Sequence, residues 1–301
     1  MCMTKDNKEK HFEIPEPFER EILKSGLYCV ATPIGNLRDI SLRALDILQS
    51  VDIILCEDTR VTRKLLNAYQ VKAKLEVYND HSPEKKRDEV VQRVKSGMAI
   101  ALVSDAGMPL ISDPGYKLIQ ACYNQDVYVT TIPGANAPLS ALQLSGMPSD
   151  KFCFLGFMPS KTQSRQAILN EWKDVSATLL FFDTAPRLIN SMKDVLHIMG
   201  EREVAVVREI TKLYEEVQRD TASNLIAHYE QAGRPKGEIV LVIEPAKLRE
   251  FDDKQLDTLL DEALETMRVK DAAQHVAQLS GRKKSDLYNM ALKRLKFKEE
   301  K

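Results

Sequence analysis

Between residues 27 and 132 short apolar runs recur, each ended by a polar turn and followed by a segment of helical spacing. This alternation constrains the fold more than any other feature. Leu27-Tyr28-Cys29-Val30-Ala31 is the first run, and residues 51–56, 75–78, 99–103 and 127–132 repeat it. Apolar runs this short, without strict in/out alternation, suit strands buried on both faces of a helix-covered, mostly parallel sheet. The punctuation agrees. Ser41 stands where it can cap a helix through Leu42, Leu45 and Leu48. Ser82-Pro83 reads as N-cap and first helical residue, and Asp113-Pro114 reads as another helix start.

Pro133-Gly134-Ala135-Asn136 joins this half to a second one, with strands expected near 151–155, 178–182, 203–208 and 238–243 and helices between them. From about residue 253 the chain is strand-poor and ends in a basic stretch. The predicted fold class is therefore α/β, as two α/β domains and a small C-terminal helical module. The expected boundaries are a flexible N-terminal arm over 1–25, a cofactor-binding domain over 26–135, a second α/β domain over 136–247 and the helical module over 254–301. A chain of 301 residues with 44% hydrophobic content can fill two such cores.

Charge is nearly balanced, 43 Lys and Arg against 44 Asp and Glu, so the total argues neither for nor against a polyanionic partner. No apolar run is long enough to cross a bilayer, and the polar start does not read as a secretory signal. Five scattered cysteines without a CxxC pair predict buried thiols in a reducing cytoplasm. Five equally scattered histidines give no metal-ligand spacing, so no metal is expected.

The segment from Leu102 to Gly115 holds two Asp, two Gly and two Pro where a strand ends. Ligands bind at the carboxyl ends of strands in open α/β sheets. A loop bent by Gly and Pro presents its carbonyls and N–H groups to a ligand instead of to a ladder. Such a loop suits a sulfonium cofactor, whose positive centre is favoured by carbonyl oxygens and by a carboxylate such as Asp105. Ser104, Asp105, Ala106, Gly107, Pro109, Leu110 and Ile111 are its candidate cofactor contacts. Asp113-Pro114 is read as a cap only. Pro33-Ile34-Gly35-Asn36 and Pro133-Gly134-Ala135 are two further turns of the same kind. Neither the GxGxxG of a dinucleotide site nor the Lys-Ser/Thr of a P-loop is present.

In combination, Ala31-Thr32-Pro33-Ile34-Gly35-Asn36-Leu37, Glu57-Asp58-Thr59-Arg60, Ser104 through Gly115 and Ile132-Pro133-Gly134 resemble the bacterial ribosomal RNA small subunit methyltransferase I family. That family is of the tetrapyrrole-methylase-like class. The resemblance continues through Phe182-Asp183-Thr184-Ala185-Pro186-Arg187, Arg208-Glu209-Ile210-Thr211-Lys212 and Gly237-Glu238. It implies S-adenosyl-L-methionine as cofactor, in a cofactor cleft between the two α/β domains, with Phe182 and Gly237 added to its contacts. It also implies 2′-O-methylation of a cytidine ribose in the decoding region of 16S rRNA, the 30S subunit as partner, and a homodimer. The chain departs from the family at Asp183-Thr184-Ala185-Pro186-Arg187, where the usual residues are Glu-Ser-Pro-His-Arg.

A ribose hydroxyl must lose its proton during methyl transfer, so a base is expected nearby. Glu57, Asp58, His81, Glu209 and Lys212 are candidates, with Asp58 preferred because it follows a strand on the cofactor side. Asp58 has an equal second reading as the N-cap of the following helix. Lys212 would need a lowered pKa to act as a base, and otherwise would hold phosphate or ribose. Arg60, Arg187, Glu209 and Lys212 are candidate RNA contacts, and the basic end from Arg282 adds charge for rRNA. Two alternatives stand beside this reading: a small-molecule, tetrapyrrole-type methyltransferase, and a non-catalytic rRNA-binding assembly protein.

Overall fold

The computed structural model describes residues 22–79, 82–246 and 252–299. Most of the expected N-terminal arm, residues 1–21, and the candidate base His81 lie outside them.

The first sheet is built from β1 (Gly26–Val30), β2 (Ile53–Cys56), β3 (Leu75–Val77), β4 (Ala99–Leu102) and β5 (Val129–Ile132). All its pairings are parallel, in the order β3-β2-β4-β1-β5. Alternate side chains of β1 enter opposite cores, as the two-residue period requires. Tyr28 and Val30 pack with Leu45, Leu48 and Leu66 from α1 (Leu42–Ser50) and α2 (Thr59–Ala68). Leu27 and Cys29 pack with Val91 and Leu118 from α3 (Glu84–Lys95) and α4 (Tyr116–Tyr123). The central neighbours β1 and β4 send the chain in opposite directions, toward β2 and toward β5. A ligand crevice forms at such a switch point.

The second sheet holds β6 (Phe152–Phe157), β7 (Thr178–Thr184), β8 (Glu203–Arg208), β9 (Glu216–Thr221) and β10 (Glu238–Ile243), in the order β6-β7-β10-β8-β9. Only β6 and β7 are parallel; the other pairings are antiparallel. One face packs on α6 (Thr162–Trp172), α7 (Leu188–Met199) and α8 (Ala222–Ala232) through Leu179, Phe181 and Leu241. The other packs on α5 (Ala137–Ser145) through Leu180 and Val207. Both sheets belong to one compact unit, residues 1–173 with 177–244.

The remaining unit, residues 174–176 with 245–301, contains α9 (Asp253–Leu264), α10 (Val269–Ser280) and α11 (Lys284–Glu299). It has its own small core around Leu256, Leu260, Ala272, Val276 and Leu287. Asp252 and Gln255 form a reciprocal capping box at its first helix, and Gly281 ends α10 in left-handed backbone.

Several local expectations change. Ser41 does cap α1, accepting from the Ala44 N–H at 3.1 Å. Ser82 does not cap α3; its hydroxyl accepts from the Asn79 N–H instead, and Pro83 takes the cap position without a side-chain bond. Asp113 does not cap α4, which begins after Gly115 with no side-chain cap. The helix expected between residues 208 and 238 is α8, and β9 is an added strand before it. Trp172 packs against the core of the second sheet.

Candidate active site

A cavity of about 330 Å³ lies between the two sheets, within the first unit. It is at the small end of the roughly 300–1,000 Å³ usual for small-molecule sites. Ile34, Asp105, Ala106, Gly107, Ile111 and Asp113 wall it from the first sheet's loops. Phe157, Phe182, Asp183, Val207, Gly237 and Glu238 wall it from the second.

The first wall is set by the turns after β1 and β4. Thr32 and Gly107 exchange backbone hydrogen bonds of 2.8 and 3.1 Å, which ties the two turns together. The chain then winds through left-handed backbone at Leu110 (φ +73°), Ser112 (φ +67°) and Gly115 (φ +134°). For Leu and Ser such conformations cost of order 1–3 kcal/mol each, and they persist only where the surroundings over-determine them. The winding brings Ile111, Ser112 and Asp113 to the cavity. Burial, then the negative charge of Glu57, push the Asp113 carboxyl up to about 6, against a hydrogen bond from Ser104, with Asp105 adding to the rise.

The second wall is set by the end of β7 and the start of β10. Asp183 is 3% exposed, accepts from the Thr184 N–H at 2.7 Å, and lies 3.3 Å from the Arg187 guanidinium. Its second carboxylate oxygen, Oδ2, is buried with no hydrogen-bond partner among the described residues. Glu209 and Thr211 are also left-handed, at φ +50° and +65°. This loop reaches the other lobe: the Asn36 N–H donates to Thr211 Oγ1 at 3.1 Å. Lys212 lies over Gly35 so closely that a Cβ there would stand 2.5 Å from its Cγ.

The sequence candidates divide. Asp105, Ala106, Gly107, Ile111, Phe182 and Gly237 line the cavity. Pro33, Ser104, Pro109, Leu110, Pro133, Gly134 and Ala135 are outside its wall and shape the turns around it. Ser104, for example, is 3% exposed, and its hydroxyl reaches the Ala106 and Gly107 carbonyls. Gly134 passes Ala31 so closely that a Cβ would lie 2.9 Å from that residue's own.

Asp58 takes the second of its two readings. Its carboxylate caps α2, accepting from the Arg60 N–H at 2.8 Å, and holds the Arg60 guanidinium. Those bonds lower it to about 2, which leaves a weak base. Lys212 is not a base either. Burial would lower its pKa, but the Glu238 and Glu209 carboxylates at 2.8 and 3.0 Å outweigh burial and raise it. Glu209 folds back onto Lys212 and the Glu238 N–H. Burial alone would raise it, and these contacts bring it below the usual carboxylate range. Arg60 is 86% exposed, and Arg187 faces Asp183. Glu57 does not line the cavity, but its charge acts on Asp113. Sequence reasoning passed over Asp113, as a cap, and Asp183, as a mere departure from the family. Their signals were an Asp in a loop rich in Gly and Pro, and an Asp ending a buried apolar run.

The donors fit an elongated ligand with a cationic centre. Asp105 and Asp113 line one wall, and Asp183 and Glu238 line the other beside apolar side chains such as Phe157 and Phe182. Among the described residues no group of His, Cys, Asp and Glu could hold a metal ion, and no helix is long and apolar enough to cross a membrane.

Residues 26–226 match the family described as Tetrapyrrole (Corrin/Porphyrin) Methylases, and residues 250–296 match the one described as RsmI C-terminal HTH domain. The chain is 49% identical over 222 residues to ribosomal RNA small subunit methyltransferase I of Rickettsia prowazekii, covering 74% of this chain and 79% of that protein. It is 48% identical over 272 residues to the protein of the same name from Erythrobacter litoralis, covering 90% and 96%. Among solved structures it resembles uroporphyrin-III C-methyltransferase from Thermus thermophilus complexed with S-adenosylhomocysteine. That match has a TM-score of 0.51 at 16% identity and covers 73% of this chain and 97% of the other.

Proposed function

The chain belongs to the ribosomal RNA small subunit methyltransferase I family, on the tetrapyrrole methylase fold, and from that premise we propose that it 2′-O-methylates a cytidine ribose in the decoding region of 16S rRNA. The observation that carries the reading is the acidic cavity between the two sheets, built on the turns that the family resemblance singled out. S-adenosyl-L-methionine supplies the activated methyl group when bound. The chain's own residues do the rest.

Asp105 and the backbone of Ala106 and Gly107 hold the charged end of the cofactor, and Phe182, Val207 and Gly237 enclose its flat end. Apolar walls exclude water, so most of the acceleration comes from alignment, which can supply roughly 7–11 kcal/mol. Lys212, Arg187 and Arg60 lie on the segments assigned to RNA. Their partners Glu238, Asp183 and Asp58 keep each cation in place until phosphate competes for it. The helical C-terminal unit adds sequence-independent charge for the rRNA.

The reading includes a cytoplasmic location, where ribosomal subunits are made, and a homodimer. Leu139 and Leu144 on α5 and Phe152 on β6 expose apolar side chains that would serve a pairing surface. Sedimentation of the purified chain tests it.

The deciding experiment uses 30S subunits from cells lacking the gene, incubated with the purified protein and S-adenosyl-L-methionine. One new ribose 2′-O-methyl group in the decoding region is expected. Subunits that gain none, or a methyl placed on a base, would sink the assignment.

A further inference from the structure

The wound loop between Met108 and Gly115 carries Asp113 to the cavity and gives it no structural task there. It caps no helix, and no Lys or Arg among the described residues pairs with it. Ser104 offers it a hydrogen bond; Glu57 and Asp105 set their negative charges against it. Arg60 is held by Asp58, whose own N–H is taken by Asp105. Across the cavity stand Asp183, facing Arg187, and Glu238, bound to Lys212.

We propose that Asp113 is the proton acceptor of the methyl transfer: it is ionised while a sulfonium cation occupies the cavity and takes the ribose hydroxyl proton as that positive charge disappears. The inference rests on the reading of this cavity as the S-adenosyl-L-methionine site. Its physical basis is charge linkage. Burial and acidic neighbours push Asp113 up to about 6, and an incoming cation favours the ionised form, so cofactor entry near that pH expels a proton. In the transfer the sulfur–methyl bond breaks, its electron pair stays on sulfur, and the methyl carbon bonds to the 2′-oxygen. The hydroxyl proton passes to the Asp113 carboxylate. The field that held Asp113 ionised is thus removed when a proton has to be accepted. The proton leaves to solvent when the products depart. A carboxyl tuned toward neutrality is a better general base than an ordinary one, and Asp58 and Lys212 are tuned the wrong way.

Calorimetry at pH 6 in two buffers of different ionisation enthalpy counts the protons released on binding. S-adenosyl-L-methionine and neutral S-adenosylhomocysteine are compared; near this pH the α-amino groups of both are protonated. The wild type is expected to release several tenths of a proton more with the sulfonium than with the thioether, and the difference should fade by about pH 8. Asp113→Asn should abolish the difference while binding S-adenosylhomocysteine within about threefold of wild type, and should slow single-turnover transfer to 30S subunits at least ~100-fold. Equal proton counts for the two ligands in the wild type overturn the proposal, whatever the variant does. So does a difference that survives in Asp113→Asn. If the wild type binds neither ligand, the cavity assignment itself falls.

Discussion

At Asp58 one side chain could serve the fold or the chemistry, and its hydrogen bonds decide between them. The carboxylate accepts from the Arg60 backbone and guanidinium, which stabilises the anion and lowers its pKa to about 2. A group so weakly basic gains little by taking a proton at neutral pH. Asp58→Ala should therefore lose the cap and about 1 kcal/mol of stability in urea unfolding. Asp58→Asn, which caps as well, should stay within about 0.5 kcal/mol of wild type. Transfer by the Asn variant should remain within about fivefold, because a general base would contribute ~100-fold or more. A hundredfold loss in Asp58→Asn with unchanged stability would return Asp58 to the reaction. Near the C-terminus the same competition goes the other way for Arg294. It looks like an rRNA contact in sequence, but Asp257 and Asp261 of the neighbouring helix hold it.

Among the elements, the loops that make the cavity are more tightly specified than the helices behind them. Gly237 has φ +99°, and a Cβ there would stand 2.4 Å from the Glu209 carboxylate. Gly237→Ala must both strain the backbone and push Glu209 away from Lys212, so a loss of about 1–3 kcal/mol in thermal or urea unfolding is expected. Titration calorimetry should find its affinity for S-adenosylhomocysteine at least ~10-fold weaker. Unchanged affinity would remove this loop from the site. The central strands were legible in sequence because burial on both faces leaves only apolar residues at 53–56 and 99–102. β9 was not. It is an edge strand whose Glu216 and Arg219 reach solvent and pair with Arg208 and Glu203, so its composition reads as a charged surface. Asp113 was misread for a different reason. Asp-Pro before a helical run has the local form of a cap, and only the left-handed turns at Leu110 and Ser112 carry it to the cavity instead. Strand existence is a local property; where a loop delivers its side chains is not.

Over the whole molecule, a net charge of -1 conceals a division of labour. The cavity is walled by acidic residues, which favour a cationic cofactor, whereas rRNA requires exposed positive charge elsewhere. The helical unit supplies some of it. Arg294 is neutralised by its two Asp partners, but Lys283 and Lys293 are exposed and Lys284 donates to the neutral Gln274. If these three lysines neutralise phosphates, each should contribute about one unit to the slope of log affinity against log salt. Replacing all three by Gln (Lys283→Gln, Lys284→Gln, Lys293→Gln) should flatten that slope by up to about 3 in binding to 30S subunits lacking the modification. Cofactor affinity should not change, because the residues walling the cavity fall between Ile34 and Val240. An unchanged slope would mean that the helical unit meets the ribosome through another face, and that the cations beside the cavity bear the electrostatic share of binding alone.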